Sequence, residues 1–138
     1  MNFLVFLITN YTFCSCAELP PLSYNDVLTA DVIFIGEVIG KRSAIFGEDW
    51  KISFKVKEGL KGVSLGKTVH IYTPKYGLMC GLDISKRELW YVFPRKNRWK
   101  FIDSICSRSG KISESSYKSQ RIRTEIEFIK TNFPQNSK

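Results

Sequence analysis

The feature that most constrains this chain is the placement of its four cysteines, Cys14, Cys16, Cys80 and Cys106. Two stand one residue apart, and in an extended segment such side chains point to opposite faces. They cannot usefully bond to each other, so each must reach a distant partner. Spacing leaves two arrangements open: Cys14–Cys80 with Cys16–Cys106, or the swapped pairing. Either would strap an N-terminal segment across the fold, and each closed loop would stabilise it by ~4 kcal/mol through chain entropy. There is no CxxC, and His70 is the only histidine, so no metal site of the chain's own is expected. Two disulfides in an oxidising compartment fit the set better.

The first residues agree with export. Met1 to Ile8 is an apolar run, too short for a membrane-spanning helix but long enough for the core of a signal segment. No Lys or Arg precedes it, and Tyr11-Thr12-Phe13 precedes Cys14 in place of a small-x-small pattern. The alternative, a buried first strand, is disfavoured because nothing later offers this run a partner. The expected organisation is a signal-like segment over 1–13, one domain over 14–131, and a tail over 132–138. A chain of 138 residues supports one core of that size.

Within the domain, Leu19-Pro20-Pro21 is stiff and extended. Ser23 followed by Asp26 reads as a capping box opening a short helix over Tyr24 to Ala30. Asp31 to Gly40 is a strand, apolar on both faces where it begins, with Gly36 marking a bulge or bend. Trp50, Ile52, Phe54 and Val56 alternate with Lys51, Ser53, Lys55 and Lys57, a strand with one face to the core and one to water. Glu58 to Gly62 reads as a turn. A third strand covers Lys67 to Thr73 and stops at Pro74, with Val69 and Ile71 facing away from His70 and Tyr72. Glu88 to Phe93 is a fourth, Pro94 to Asn97 a turn, and Arg98 to Ile102 a fifth, with Cys106 closing the β region. From Ser113 a helix carries Ile122, Ile126 and Ile129 on one stripe, with Arg121, Arg123 and Lys130 outward. These elements predict a mainly β fold: a five-stranded OB-like Greek-key barrel with a short N-terminal and a C-terminal helix. A flattened sandwich is the competing arrangement.

Catalysis is not indicated. Nucleophile–base pairs need a His, Lys or carboxylate set against a Ser or Cys. His70 lies in mid-strand, and Glu37, Glu58, Asp83 and Glu88 are dispersed without paired-carboxylate spacing. No phosphate-cradling glycine loop is present, and no cofactor is expected. The formal charge of +8 instead favours acidic partners. Lys51, Lys55 and Lys57 form one basic row, while Arg95, Lys96, Arg98 and Lys100 cluster around Trp99. Together they make a candidate surface for an anionic polymer. The plainer reading is a solvated strand face, with Trp50, Trp90, Trp99, Phe93 and Phe101 as core or rim packing. Nucleic acid is disfavoured for an exported chain.

Five stretches carry a resemblance to a known family. Cys14-Ser15-Cys16 before a short helix, then ADVIFIGEVIG, FKVKEGLKG, CGLDISKRELWYVF and a late cysteine in CSRSG, resemble the netrin module over about residues 14–130. The likeness is to the N-terminal domain of the tissue inhibitors of metalloproteinases and their single-domain bacterial relatives. It implies an OB-type barrel, the pairing Cys14–Cys80 and Cys16–Cys106, and a monomeric, non-enzymatic binder. It further implies that the α-amino group and carbonyl of Cys14 chelate the zinc of a metalloprotease. Ser15 would enter that enzyme's S1′ pocket and Cys16 would hold the geometry. Phe13-Cys14-Ser15-Cys16 is also similar to a loose lipobox, which would acylate Cys16 and make the protein a lipoprotein. That is the one membrane association the sequence offers.

Overall fold

The computed structural model describes residues 14–75, 80–113 and 117–135. The apolar run assigned to a signal segment, 1–13, lies outside them. The elements are α1 (Tyr24–Thr29), β1 (Ile33–Ser43), β2 (Asp49–Lys61), β3 (Thr68–Pro74), β4 (Leu89–Val92), β5 (Arg95–Asn97), β6 (Lys100–Ile102), β7 (Gly110–Lys111) and α2 (Tyr117–Asn132). The strands form one curled half-barrel sheet in the order β5-β6-β3-β2-β1-β4-β7. All neighbours are antiparallel except β3 and β6. Only Phe93 and Pro94 separate β4 from β5 in the chain, although the two strands lie near opposite ends of the sheet order.

The sheet has seven strands among the described residues, where sequence patterning predicts five. Arg95–Asn97, read as a turn, is β5: it pairs with Lys100–Ile102 around Arg98 and Trp99. Three-residue strands are too short to display a two-residue period, so alternation cannot reveal them. Nor does the β region end at Cys106, because Gly110 and Lys111 pair with Tyr91 and Trp90. The turn predicted over Glu58 to Gly62 is strand as far as Lys61, since Leu60 is buried and Gly59 and Lys61 pair with β1. The chain reverses at Gly62, whose φ of 70° favours glycine.

β1 is apolar on both faces because it is covered on both. Phe34 and Val38 belong to one core cluster with Ile52, Phe54 and Ile71. Ile33 belongs to a second cluster with Leu60, Tyr91, Ile122 and Ile129, formed where the two helices pack on the outside of the sheet. The register of β1 on β2 shifts between Ile35 and Gly36, the bulge that Gly36 signals. A Cβ at Gly36 would lie 2.7 Å from the Phe34 ring, so the position also has no room for a side chain.

α1 begins as its sequence predicts. The Asp26 amide donates to Ser23 Oγ at 3.1 Å, and the Ser23 amide donates to Asp26 Oδ2 at 2.9 Å. At the other end, Lys61 Nζ donates to the carbonyls of Val27 and Leu28, placing a cation on the helix C-terminus. In α2, Ile122 and Ile129 are buried and Ile126 is partly so, but Arg121 does not face out. It turns onto Glu125, one helical turn away. Past α2, Phe133 stacks 4.4 Å from Tyr24, and Gln135 Nε2 donates to the Leu60 carbonyl.

Candidate functional site

Two regions hold the residues that sequence analysis singles out. The first is the N-terminal strap. Cys14 is bonded to Cys80 and Cys16 to Cys106, with Cα separations of 5.3 and 5.1 Å. Ser15, between them, is exposed. The two bridges touch, with Cys14 Sγ 3.7 Å from Cys106 Sγ, and the Ile105 amide donates to the Cys80 carbonyl. Cys80 is seated on the end of β3: the Leu82 amide donates to buried Thr73 Oγ1, and Gly81 packs against the Pro74 carbonyl. A Cβ at Gly81 would fall 1.9 Å from that oxygen, so only glycine fits. Three sulfurs, of Cys14, Cys80 and Cys106, converge within ligand distance of one another. All are consumed in disulfides and have no thiolate to offer a metal. Such bridges persist in oxidising, extracytoplasmic surroundings.

Arg108 fixes the strap at a third point. Its Nη2 donates to the Pro20 carbonyl at 2.8 Å, and its guanidinium lies 3.6 Å from Asp26 at the start of α1. Its Nη1 donates to Glu125 Oε2 at 3.1 Å. Glu125, only 4% exposed, also accepts from Arg121 and from the Tyr91 hydroxyl. One buried carboxylate is thus held by two guanidinium groups and a phenol. Burial, reinforced by the adjacent carboxylate, pushes the Tyr91 hydroxyl far above the usual phenol range. The Asp26 carboxyl is held below its ordinary range, first by its two hydrogen bonds with Ser23 and then by Arg108. Nothing in the sequence marks Arg108, because its partners come from α1, α2 and the strap.

Next to the strap opens a cleft of about 820 Å3, lined among others by Leu19, Tyr72, Lys96, Asp103, Cys106 and Arg108. Its charges answer one another: Lys96 lies 4.0 Å from Asp31, Lys100 lies 4.0 Å from Asp49, and Arg108 pairs with Asp26. The β1–β2 hairpin tip stands at the same end of the sheet, since Asp49 pairs with Pro74 and the Lys75 amide donates to the Glu48 carbonyl. On that tip Ile45 and Phe46 are 87% and 90% exposed. No periodicity marks them in the sequence; their one signal there is an apolar pair enclosed by turn-forming residues.

The second region is the outer face of β1, β2, β3 and β6. Lys51 and Lys55 project from it as alternation predicts, and cross-strand pairing adds neighbours. Arg42 is opposite Lys51, which is opposite Tyr72, and Ser53 is opposite His70. Ser53 Oγ lies 2.9 Å from His70 Nδ1. Lys100 lies on the same side, its Nζ 5.1 Å from the Tyr72 ring centre and 5.9 Å from that of Trp99. Of the aromatics read as core or rim, Trp90 is buried and Trp50 and Phe101 are partly so, but Trp99 is 76% exposed. Lys57 pairs with Glu37 at 3.3 Å, and Lys96 turns toward Asp31. Arg95 and Arg98 are exposed on the β5–β6 hairpin. The predicted basic set is therefore divided: Lys51, Lys55 and Lys100 share the sheet face, and Arg42 joins them unpredicted. A shallow recess of about 570 Å3 borders this face, lined in part by Lys41, Arg42, Ser53, Ser85 and Lys86.

Among the described residues, no helix is long and apolar enough to cross a membrane. No protein-family model matches this chain, and no curated protein sequence matches it either.

Proposed function

We propose that this protein is a secreted, non-enzymatic binding protein of the netrin-module type, with an inhibitor-like edge at Cys14-Ser15-Cys16. The observation that carries the reading is an exposed Ser15 between two cysteines that are each bridged to a different loop, one after β3 and one after β6. A segment pinned on both sides loses little freedom on docking, which lowers the entropic cost of binding. If the mature chain starts at Cys14, its neutral α-amine and carbonyl oxygen can take the open positions of a catalytic zinc and displace its water. Ser15 then points into the enzyme's adjoining pocket. Ile45 and Phe46, at the same end of the sheet, would add apolar contact area. The OB-type reading is supported by connectivity: β1 pairs with both β2 and β4, β3 runs parallel to β6, and Phe93-Pro94 joins the two flanks.

The test is N-terminal sequencing of the secreted chain together with inhibition of a zinc endopeptidase. The expected mature residue is Cys14, and one alanine added before it abolishes inhibition by displacing the amine. A mature chain that begins elsewhere, or an extended chain that inhibits equally well, overturns the chelation reading.

A second reading is favoured by the clustering of Arg42, Lys51, Lys55 and Lys100 on one sheet face beside Tyr72 and Trp99. That face would hold an extracellular anionic polysaccharide. Retention on immobilised dextran sulfate should fall steeply with salt and be lost in Lys51→Glu/Lys55→Glu. Retention unchanged by those substitutions removes this reading.

A further inference from the structure

We infer that His70 makes the basic sheet face a proton-dependent binding site for sulfated or carboxylated polysaccharide, holding the polymer more tightly as pH falls below neutrality. The inference rests on the polysaccharide reading of that face and assigns the residue that regulates it.

The geometry places the imidazole at the middle of the face. His70 is exposed on β3, its side chain against Ser53 of β2. Around it stand Arg42 from β1, Lys51 and Lys55 from β2, Thr68 and Tyr72 from β3, and Lys100 from β6. The carboxylates of this surface are Glu37 and Asp49. Glu37 is engaged by Lys57, and Asp49 lies at the edge, 4.0 Å from Lys100. An imidazole among cations resists taking a proton, and partial desolvation against the sheet, followed by the charges of Lys51 and Arg42, holds His70 below its ordinary value. A polyanion reverses that balance. Laid across the strands, it screens Arg42 and Lys51 and offers the protonated ring a counter-charge. Proton and polymer therefore favour each other's binding, each by the same factor.

This chain is well suited to the test because it has a single histidine. Sulfate esters stay ionised throughout the range, so any pH effect on dextran sulfate binding comes from the protein. One added cation in contact with an anion in water should tighten binding about fivefold. The expected result is that wild-type protein binds soluble dextran sulfate about fivefold more tightly at pH 5.5 than at pH 7.5. His70→Gln, which can still bond Ser53, should lose most of that difference between the two pH values. An NMR titration of the imidazole should show its pKa rising on addition of dextran sulfate. Equal affinity of the wild type at both pH values, or an undiminished pH effect in His70→Gln, overturns the inference while leaving the polysaccharide reading in place. Failure of wild-type protein to bind at either pH overturns both.

Discussion

The strap end and the basic sheet face are built from similar residues and arranged in opposite ways. At the strap, charge is matched: Arg108 and Arg121 converge on Glu125, Lys96 faces Asp31, and Arg108 also meets Asp26. On the sheet face, Lys55 stands across from Glu37 and Lys100 lies 4.0 Å from Asp49, but Arg42 and Lys51 stand directly opposite each other with no carboxylate between them. The strap contacts join residues 66, 90 and 88 positions apart, whereas the face is made by alternation along neighbouring strands. Matched, long-range contacts hold a segment still. Unmatched, like-charged side chains weaken the fold slightly and leave a field for a partner of opposite sign. The first region is thus organised for rigidity and the second for attraction.

This contrast can be broken first at the bridges. Replacing Cys16 and Cys106 together by serine should cost ~4 kcal/mol of stability by the chain-entropy argument, read as a lower midpoint in denaturant unfolding. Dextran sulfate binding below the unfolding transition should not change. A variant lacking the Cys16–Cys106 bridge that loses polymer binding while still folded would show that the two regions are coupled. Next in size is Glu125→Gln, which leaves Arg108 and Arg121 without their buried carboxylate. Losing one partner of such a group should cost ~3 kcal/mol, and a cost below ~1 kcal/mol would mean that the network does not tie α2 to the strap.

Smaller still is Asp26→Ala, which removes the capping box of α1 and one contact of Arg108; ~1 kcal/mol is expected in thermal or denaturant unfolding. The pH dependence follows from the direction of its shift. The folded carboxyl titrates below its ordinary value, so its contribution is present above about pH 4 and is lost as pH falls through the folded value. The variant should therefore unfold in acid with a shallower pH dependence than wild type, and identical acid profiles would remove Asp26 from the account. Smallest in stability is Lys51→Glu/Lys55→Glu, within ~0.5 kcal/mol of wild type, although its polymer binding should be lost. A large destabilisation there would mean that the face serves packing instead of a partner.

Much of the fold was legible in local pattern. Ile52, Phe54 and Val56 face inward and Lys51 and Lys55 outward, as a two-residue period requires. Ser23 and Asp26 start α1, Gly36 marks a bulge, and Ile122 and Ile129 bury one stripe of α2. The cysteine spacing dictated that Cys14 and Cys16 take separate partners, but the choice between Cys80 and Cys106 came only through the resemblance to the netrin module, and the structure carries that pairing. The candidate sites were half legible. Lys51 and Lys55 could be placed on one face, but neither Arg42 beside Lys51 nor the exposure of Ile45 and Phe46 could be foreseen.

By itself, then, the sequence determined which residues turn inward along each long strand and helix, and that the N-terminal segment must be strapped down. Periodicity and caps act between residues a few positions apart, so they survive in one dimension. Tertiary structure alone decided that Arg108 and Arg121 would be drawn in around Glu125, that Arg95–Asn97 would be a strand, and that His70 would sit between cations. Each of these depends on groups brought together across the sheet, and a charged side chain's environment belongs to its neighbours in space. The same strap that the cysteines require is therefore held by an arginine that the sequence does not mark.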